Sequence, residues 1–177
     1  MIWRVFRRSP ASAATNASWW EAADRLAETP DAAALTGLRA MTRADLPPDE
    51  VEQQEEMLDG LEALVTLASS NGLPRLDTQH RVIGADACHL MTPATLAAEH
   101  AVPGKLFLTD RRLVFAGGHA RTWAWHRVRD VARKGRAVHV VVIGPAELVV
   151  LQCNSFGDAM IVRHLARRLT TRPGQGD

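Results

Sequence analysis

The chain has 177 residues, 46% of them apolar, with 21 Lys/Arg against 20 Asp/Glu. That length and balance suit one globular domain, or one domain with a helical appendage. No run approaches the ~20 apolar residues a membrane-spanning helix needs, and two cysteines far apart, Cys88 and Cys153, make no disulfide framework and suit a reducing cytosol.

The near-zero net charge hides a split. Residues 1–72 hold six Lys/Arg and twelve Asp/Glu, a balance of −6, and residues 73–177 hold fifteen and eight, a balance of +7. Two unrelated surfaces explain this most simply. The sharper alternative is that the acidic half docks on the basic half, or competes with an anionic partner for it.

In chain order, Met1-Ile-Trp-Arg-Val-Phe-Arg-Arg8 is apolar and basic but too short for a signal sequence. It reads as a first strand or a segment packed on the body, with a membrane-surface contact through Ile2, Trp3 and Phe6 as the alternative. Ser18 with Glu21 three residues on is a capping box, so a helix is expected from Ser18 to about Glu28. Thr29-Pro30 opens a second, with Leu35, Leu38 and Met41 on one face. Asp45-Leu46-Pro47-Pro48 stops it and leads into the longest helix, about Asp49–Ser70. Val51, Leu58, Leu61 and Val65 recur there at helical spacing, and Glu55, Glu56, Asp59 and Glu62 form a wet face. Asn71-Gly72 ends it.

After a linker at Leu73–Leu76 the period shifts towards two. Gln79–Ile83 and Cys88–Met91 are expected strands around a turn at Gly84-Ala85-Asp86. The clearest pattern follows, Gly104-Lys-Leu-Phe-Leu-Thr-Asp-Arg-Arg-Leu-Val-Phe115. Leu106 and Leu108 share one face, Leu113 and Phe115 do the same on a second segment, and Thr109–Arg112 is a short polar break. This is a β-hairpin. Arg121–His126 alternates, with Trp123 and Trp125 on one face, and Val128 and Val131 continue towards the core. Val138–Ile143 and Leu148–Cys153 pair around Gly144-Pro145-Ala146-Glu147. Asn154-Ser155 then caps a last helix bearing Phe156, Ile161, Leu165 and Leu169 on one face, and residues 171–177 form a polar tail.

Six or seven short strands and a terminal amphipathic helix make the class α+β: a helical segment over 1–72 and, over 75–170, the element order of a pleckstrin-homology-like antiparallel barrel plugged by its helix. The residues carry the same resemblance. Gly104-x-Leu-x-Leu-Thr-Asp-x-Arg-Leu-x-Phe115 resembles the G-x-L-x-L-T-[ND]-x-R-L-x-F core of GRAM and bacterial pleckstrin-homology-like domains, and Trp125-His-Arg-Val128 resembles the W-x-x-I/V strand that follows it. The resemblance implies a non-catalytic module that binds protein or lipid headgroups. Phosphoinositide-binding members place several Lys and Arg around the first hairpin loop. Here that loop reads as Gly84-Ala85-Asp86, with no base, which turns the expectation towards protein.

The candidate anion-binding set is instead Arg127, Arg129, Arg133, Lys134 and Arg136, where Arg127 and Arg129 flank Val128 and the rest fall in the next turn. A solvated strand face accounts for the same residues. His80, Cys88 and His89 are close in sequence, but Cys88 and His89 alternate sides of a strand and make a poor zinc pair. No phosphate loop, dinucleotide fingerprint, nucleophile elbow or H-E-x-x-H occurs. No catalytic residue, metal or cofactor is therefore assigned. Trp123 and Trp125 beside Arg121 and Arg127 could stack nucleic acid, but an inner face of a small barrel suits them better. The expectation is a cytoplasmic binding protein, with a protein partner first, and anionic lipid at a membrane periphery second.

Overall fold

A computed structural model describes residues 10–41, 46–97, 100–144 and 147–171. The Met1–Arg8 segment and the tail from 172 lie outside them. Contacts divide the chain into two compact units, Met1–Ala68 and Ser69–Asp177. Among the described residues no helix is long and apolar enough to cross a membrane.

The first unit holds helices α1 (Pro10–Glu28), α2 (Ala32–Ala40) and α3 (Pro48–Ser69). Ser18 does not cap α1: the helix begins eight residues earlier, and the Ser18 hydroxyl bonds back to the Thr15 carbonyl at 2.9 Å. The Ala-rich stretch from Pro10 favours helix more than its Ser and Asn oppose it, and Pro stands at the first helical position, where its missing N–H costs nothing. α2 begins two residues past the expected first position, Pro30: its cap is Asp31, whose carboxylate accepts from the Ala34 N–H at 2.7 Å. α3 buries Leu58 and Leu61 of the expected stripe together with Met57 and Leu64 beside them, while Val51 and Val65 are half-buried, and it also buries Gln54. The Gln54 amide donates to Asn16 Oδ1 at 2.9 Å, and Asn16 in turn donates to Glu50 at 2.8 Å, a polar link between α1 and α3.

The second unit is one antiparallel sheet of seven strands: β1 (Cys88–Ala97), β2 (Val102–Thr109), β3 (Arg112–Ala116), β4 (Ala120–Ala124), β5 (Val128–Lys134), β6 (Ala137–Val142) and β7 (Glu147–Cys153), with α4 (Phe156–Thr170) after it. The order is β4-β3-β2-β1-β7-β6-β5. The expected closed barrel is not what the ladders make. β4 and β5 are the two edges and do not pair, because a 3-10 turn at Trp125–Arg127 redirects the chain between them. Trp125 therefore belongs to that turn and not to β4. Its indole donates to the Thr109 carbonyl at 2.7 Å and holds the turn against β2. α4 packs against β5, β6, β7, β1, β2 and the turn. Ser155 caps it as expected, accepting from the Asp158 N–H at 2.9 Å.

The inner face of the sheet carries Leu106, Leu108, Leu113, Phe115, Trp123, Val131, Val138, Val140, Val149 and Leu151, and all are buried. Pro93 and Pro103 lie within β1 and β2, just outside the parts paired on both sides: β7 joins β1 only from Ala94, and β3 joins β2 only from Lys105. Two strands carry one extra residue each. His89 is the odd residue between Cys88 and Leu90 in β1, and Arg129 is the odd residue between Val128 and Asp130 in β5. The bulge at Arg129 lets Val128 and Val131, three apart, both turn inward.

Gln79–Ile83 is not a strand. Residues 77–87 form a strap of turns. It crosses the outer face of β2 and β3, where Ile83 joins Cys88, Phe107 and Val114 in a second small core. The alternation there came from Val82 and Ile83 turning down on that face. It was not a ladder.

Candidate interaction surface

The hairpin tip is the fastening for this strap. Thr109 Oγ1 receives the Arg112 N–H at 3.0 Å and lies 2.9 Å from the Arg112 carbonyl, which fixes the turn. Asp110 and Ala87 exchange two bonds: the Asp110 N–H to the Ala87 carbonyl at 2.9 Å, and the Ala87 N–H to the Asp110 carboxylate at 3.0 Å. Arg112 reaches the buried carboxylate of Asp86 at 2.7 Å and the Ile83 carbonyl at 3.4 Å. The polar centre of the hairpin pattern is thus structural. Its two ends also meet, because Phe115 packs on Gly104: a Cβ on Gly104 would stand 2.7 Å from Phe115 Cζ.

Gly84-Ala85-Asp86 precedes β1, so it is not the first hairpin loop. That loop is Ala98-Glu99-His100-Ala101, of which 98–99 lie outside the described residues, and it too has no Lys or Arg.

The five predicted cations do not converge. Arg127 sits in the 3-10 turn and donates to the Ile143 carbonyl from Nε at 3.2 Å and Nη2 at 3.1 Å. Arg129 is the exposed bulge residue. Arg133 and Lys134 end β5, and Arg133 bonds the Gly135 carbonyl at 2.9 Å. The Arg136 guanidinium lies 4.9 Å over the Phe156 ring. Arg127 and Lys134 are separated by the length of β5, roughly 20 Å at the rise of a strand. His80 stacks on Phe107 at 4.9 Å between centroids, and His89 places Nδ1 2.6 Å from the Pro74 carbonyl. Both cysteines are buried and free. Burial pushes the Cys153 thiol up to about 12, helped by the nearby Asp158 carboxylate. Burial also raises Cys88, against the bond it gives the Leu90 carbonyl. Trp123 and Trp125 are buried and bonded through their indoles to Glu147 and Thr109, which leaves them no open face for a base to stack on.

One surface was not foreseen. On the outer side of the sheet the strap covers β2, β3 and the start of β1 at Cys88. The outward residues of the other half are Asp130, Ala132 and Lys134 on β5, Ala137, His139 and Val141 on β6, and Leu148, Val150 and Gln152 on β7, with Thr95 and Ala97 of β1 beside Gln152 and Val150. None of these is buried. Leu148 is 61% exposed and Ile143, just past the end of β6, is 55% exposed. An antiparallel sheet with one wet face alternates apolar and polar. Here four of the six residues that β6 and β7 turn outward, all but His139 and Gln152, are apolar. The signal was in the sequence: Val140-Val141-Val142-Ile143 and Leu148-Val149-Val150-Leu151 are unbroken apolar runs, which mark strands that are apolar on both faces.

Glu147 anchors this surface. It projects inward from the start of β7, pairs with Arg121 and accepts the Trp123 indole N–H at 3.2 Å, so it ties β4 to the β6–β7 hairpin.

A seven-stranded antiparallel sheet in this order, followed by a helix packed on it, defines a pleckstrin-homology-like fold. No family model matches the chain, and no curated protein does. Solved structures show a distant likeness. The DH/PH domains of p115-RhoGEF match at 16% identity and TM-score 0.42, covering 83% of this chain and 53% of that one. The DH/PH domains of PDZ-RhoGEF, solved in complex with activated RhoA, match at 14% identity and TM-score 0.42, covering 85% and 54%. The C-terminal domain of an unknown protein from Leishmania infantum matches at 14% and TM-score 0.38, covering 47% and 79%. The chain spans about half the length of the two DH/PH structures. The fold class rests on the strand order and not on these scores.

Proposed function

We propose that this chain is a non-catalytic protein-binding module whose docking surface is the outward face of β5, β6 and β7. The observation that carries it is the uneven cover of the sheet. The strap seals one half of the outer face, while Val141, Ile143, Leu148 and Val150 stay in contact with water on the other half. Exposed apolar clusters of this kind mark sites of association. Binding to anionic lipid through Arg127, Arg129, Arg133, Lys134 and Arg136 is the weaker reading. Arg127 is committed to Ile143, the cations lie at both ends of a strand, and the first hairpin loop has none.

The test is photocrosslinking in the native host from an unnatural residue at position 150. It is run in the wild type and in Ile143→Asp/Leu148→Asp, two exposed changes that leave the core untouched. Crosslinks to protein that vanish in the double variant are expected. Crosslinks unaffected by it, or none at all, would refute the assignment of this face.

A further inference from the structure

We infer that the occupant of this face is a second copy of the same chain, packed sheet on sheet about a two-fold axis. The inference rests on the docking reading above and adds the identity of the partner.

The first argument is charge. β5 carries three outward residues, Asp130, Ala132 and Lys134, all exposed. Acid and base thus stand at opposite ends of one edge of the face. The register continues them in rows across the sheet: Asp130 with Val141 and Leu148, Ala132 with His139 and Val150, Lys134 with Ala137 and Gln152. A two-fold axis lying in the interface and crossing the strands along the middle row exchanges the first row for the third. Asp130 of one copy then meets Lys134 of the other, twice. Val141 meets Ala137, Leu148 meets the aliphatic stem of Gln152, and Ala132, His139 and Val150 meet themselves. An isologous contact requires this self-complementarity.

The second argument is the closure of the alternative. A copy joining by strand addition would need a free edge. β4 is five residues long and ends in a 3-10 turn, and β5 carries the Arg129 bulge and Lys134. Short strands, bulges and lysines are the devices that block edge pairing. The edges are guarded and the face is not.

The size of the patch sets the affinity class. Four strands span roughly 14 Å and three rows roughly 13 Å. This is well short of the ~800 Å² per partner of a stable complex, so the dimer is weak and forms at high concentration.

Sedimentation velocity on the full chain, from about 10 μM to about 1 mM, tests it. Wild type should shift from monomer to dimer, and Leu148→Asp should stay monomeric. Asp130→Lys alone and Lys134→Asp alone each set like charges against each other twice. Each should weaken association on the order of tenfold, and the double reversal should recover it. A wild type that is monomeric throughout, or single reversals without effect, or a double reversal that fails to recover, would overturn the second copy as occupant. Crosslinks from position 150 to a different protein, lost in Ile143→Asp/Leu148→Asp, would leave the docking face standing while the dimer falls. No sensitive crosslink and no dimer would remove both.

Discussion

Replacing Gly104 by alanine should destabilise the second unit by about 2–3 kcal/mol, the cost of overpacking a site that cannot yield. A Cβ there would lie 2.5 Å from the Ala116 carbonyl oxygen and 2.7 Å from Phe115 Cζ. Ordinary carbon–oxygen contacts begin near 3.3 Å. Relief therefore needs a backbone shift of nearly an ångström in β3. That carbonyl belongs to a strand paired on both sides, with Ala116 opposite Lys105 and Ala120. The neighbour Gly118 is the control. Nothing lies within 4 Å of its hypothetical Cβ, so Gly118→Ala should be neutral within about 0.5 kcal/mol. Urea unfolding followed by tryptophan fluorescence measures both in a background where Trp3, Trp19 and Trp20 are replaced by Phe, so that Trp123 and Trp125 report on this unit alone. Adding Phe115→Leu to Gly104→Ala removes the ring contact but not the carbonyl contact, so it should lower the cost of the alanine only in part. Gly104→Ala as stable as Gly118→Ala would show that the hairpin does not close at this point, and the account of the pattern's two ends would fail.

Two further outcomes follow from titrating groups. Both thiols are buried with raised pKa, Cys153 to about 12, so a thiol reagent at neutral pH should label neither Cys88 nor Cys153 in the native chain and both in denaturant. Rapid native labelling of either would contradict its burial. The His164 imidazole is held below its ordinary value near 6.5, first by burial and then by the charges of Arg168 and Arg163. The unfolded chain thus takes up its proton before the folded one does, and stability rises with pH in between. His164 should contribute no loss above about pH 6.5 and a growing loss as pH falls from there to its lowered value. His164→Asn should flatten that part of the stability profile. An unchanged slope would mean that the ring titrates freely.

What could be read from the sequence follows the physics of each signal. Period-two alternation with a short polar break gave the β2–β3 hairpin, and a serine before an amphipathic run gave the cap of α4. These signals are local, and nothing distant competes with them. The same alternation failed at Gln79–Ile83, because a strap lying on apolar surface buries Val82 and Ile83 without any ladder. Ser18 and Glu21 have the spacing of a capping box but sit inside a helix that alanine propensity carries back to Pro10. The basic set at Arg127–Arg136 was grouped by nearness in sequence. A 3-10 turn, a bulge and a strand's length separate its members in space. The open face came from the opposite error. The valine-rich runs read as ordinary strands, yet their lack of alternation marks both faces as apolar.

The bulge residues His89 and Arg129 also bear on how such a chain can diverge. Each is an odd residue that restores the parity of its strand, so that the side chains on either side of it keep their proper faces. Loss of one residue at Arg129 would leave every contact type available yet turn Val128 away from the core. Length is therefore fixed at these two places; at Arg129, which is exposed, the residue itself is free to vary, while His89 is buried against the Pro74 carbonyl. At Gly118, by contrast, a side chain would meet open space, so the residue there is free to vary. Relatives of this chain should be aligned on the count of residues between Cys88 and Leu90, and between Val128 and Val131, before any identity is weighed.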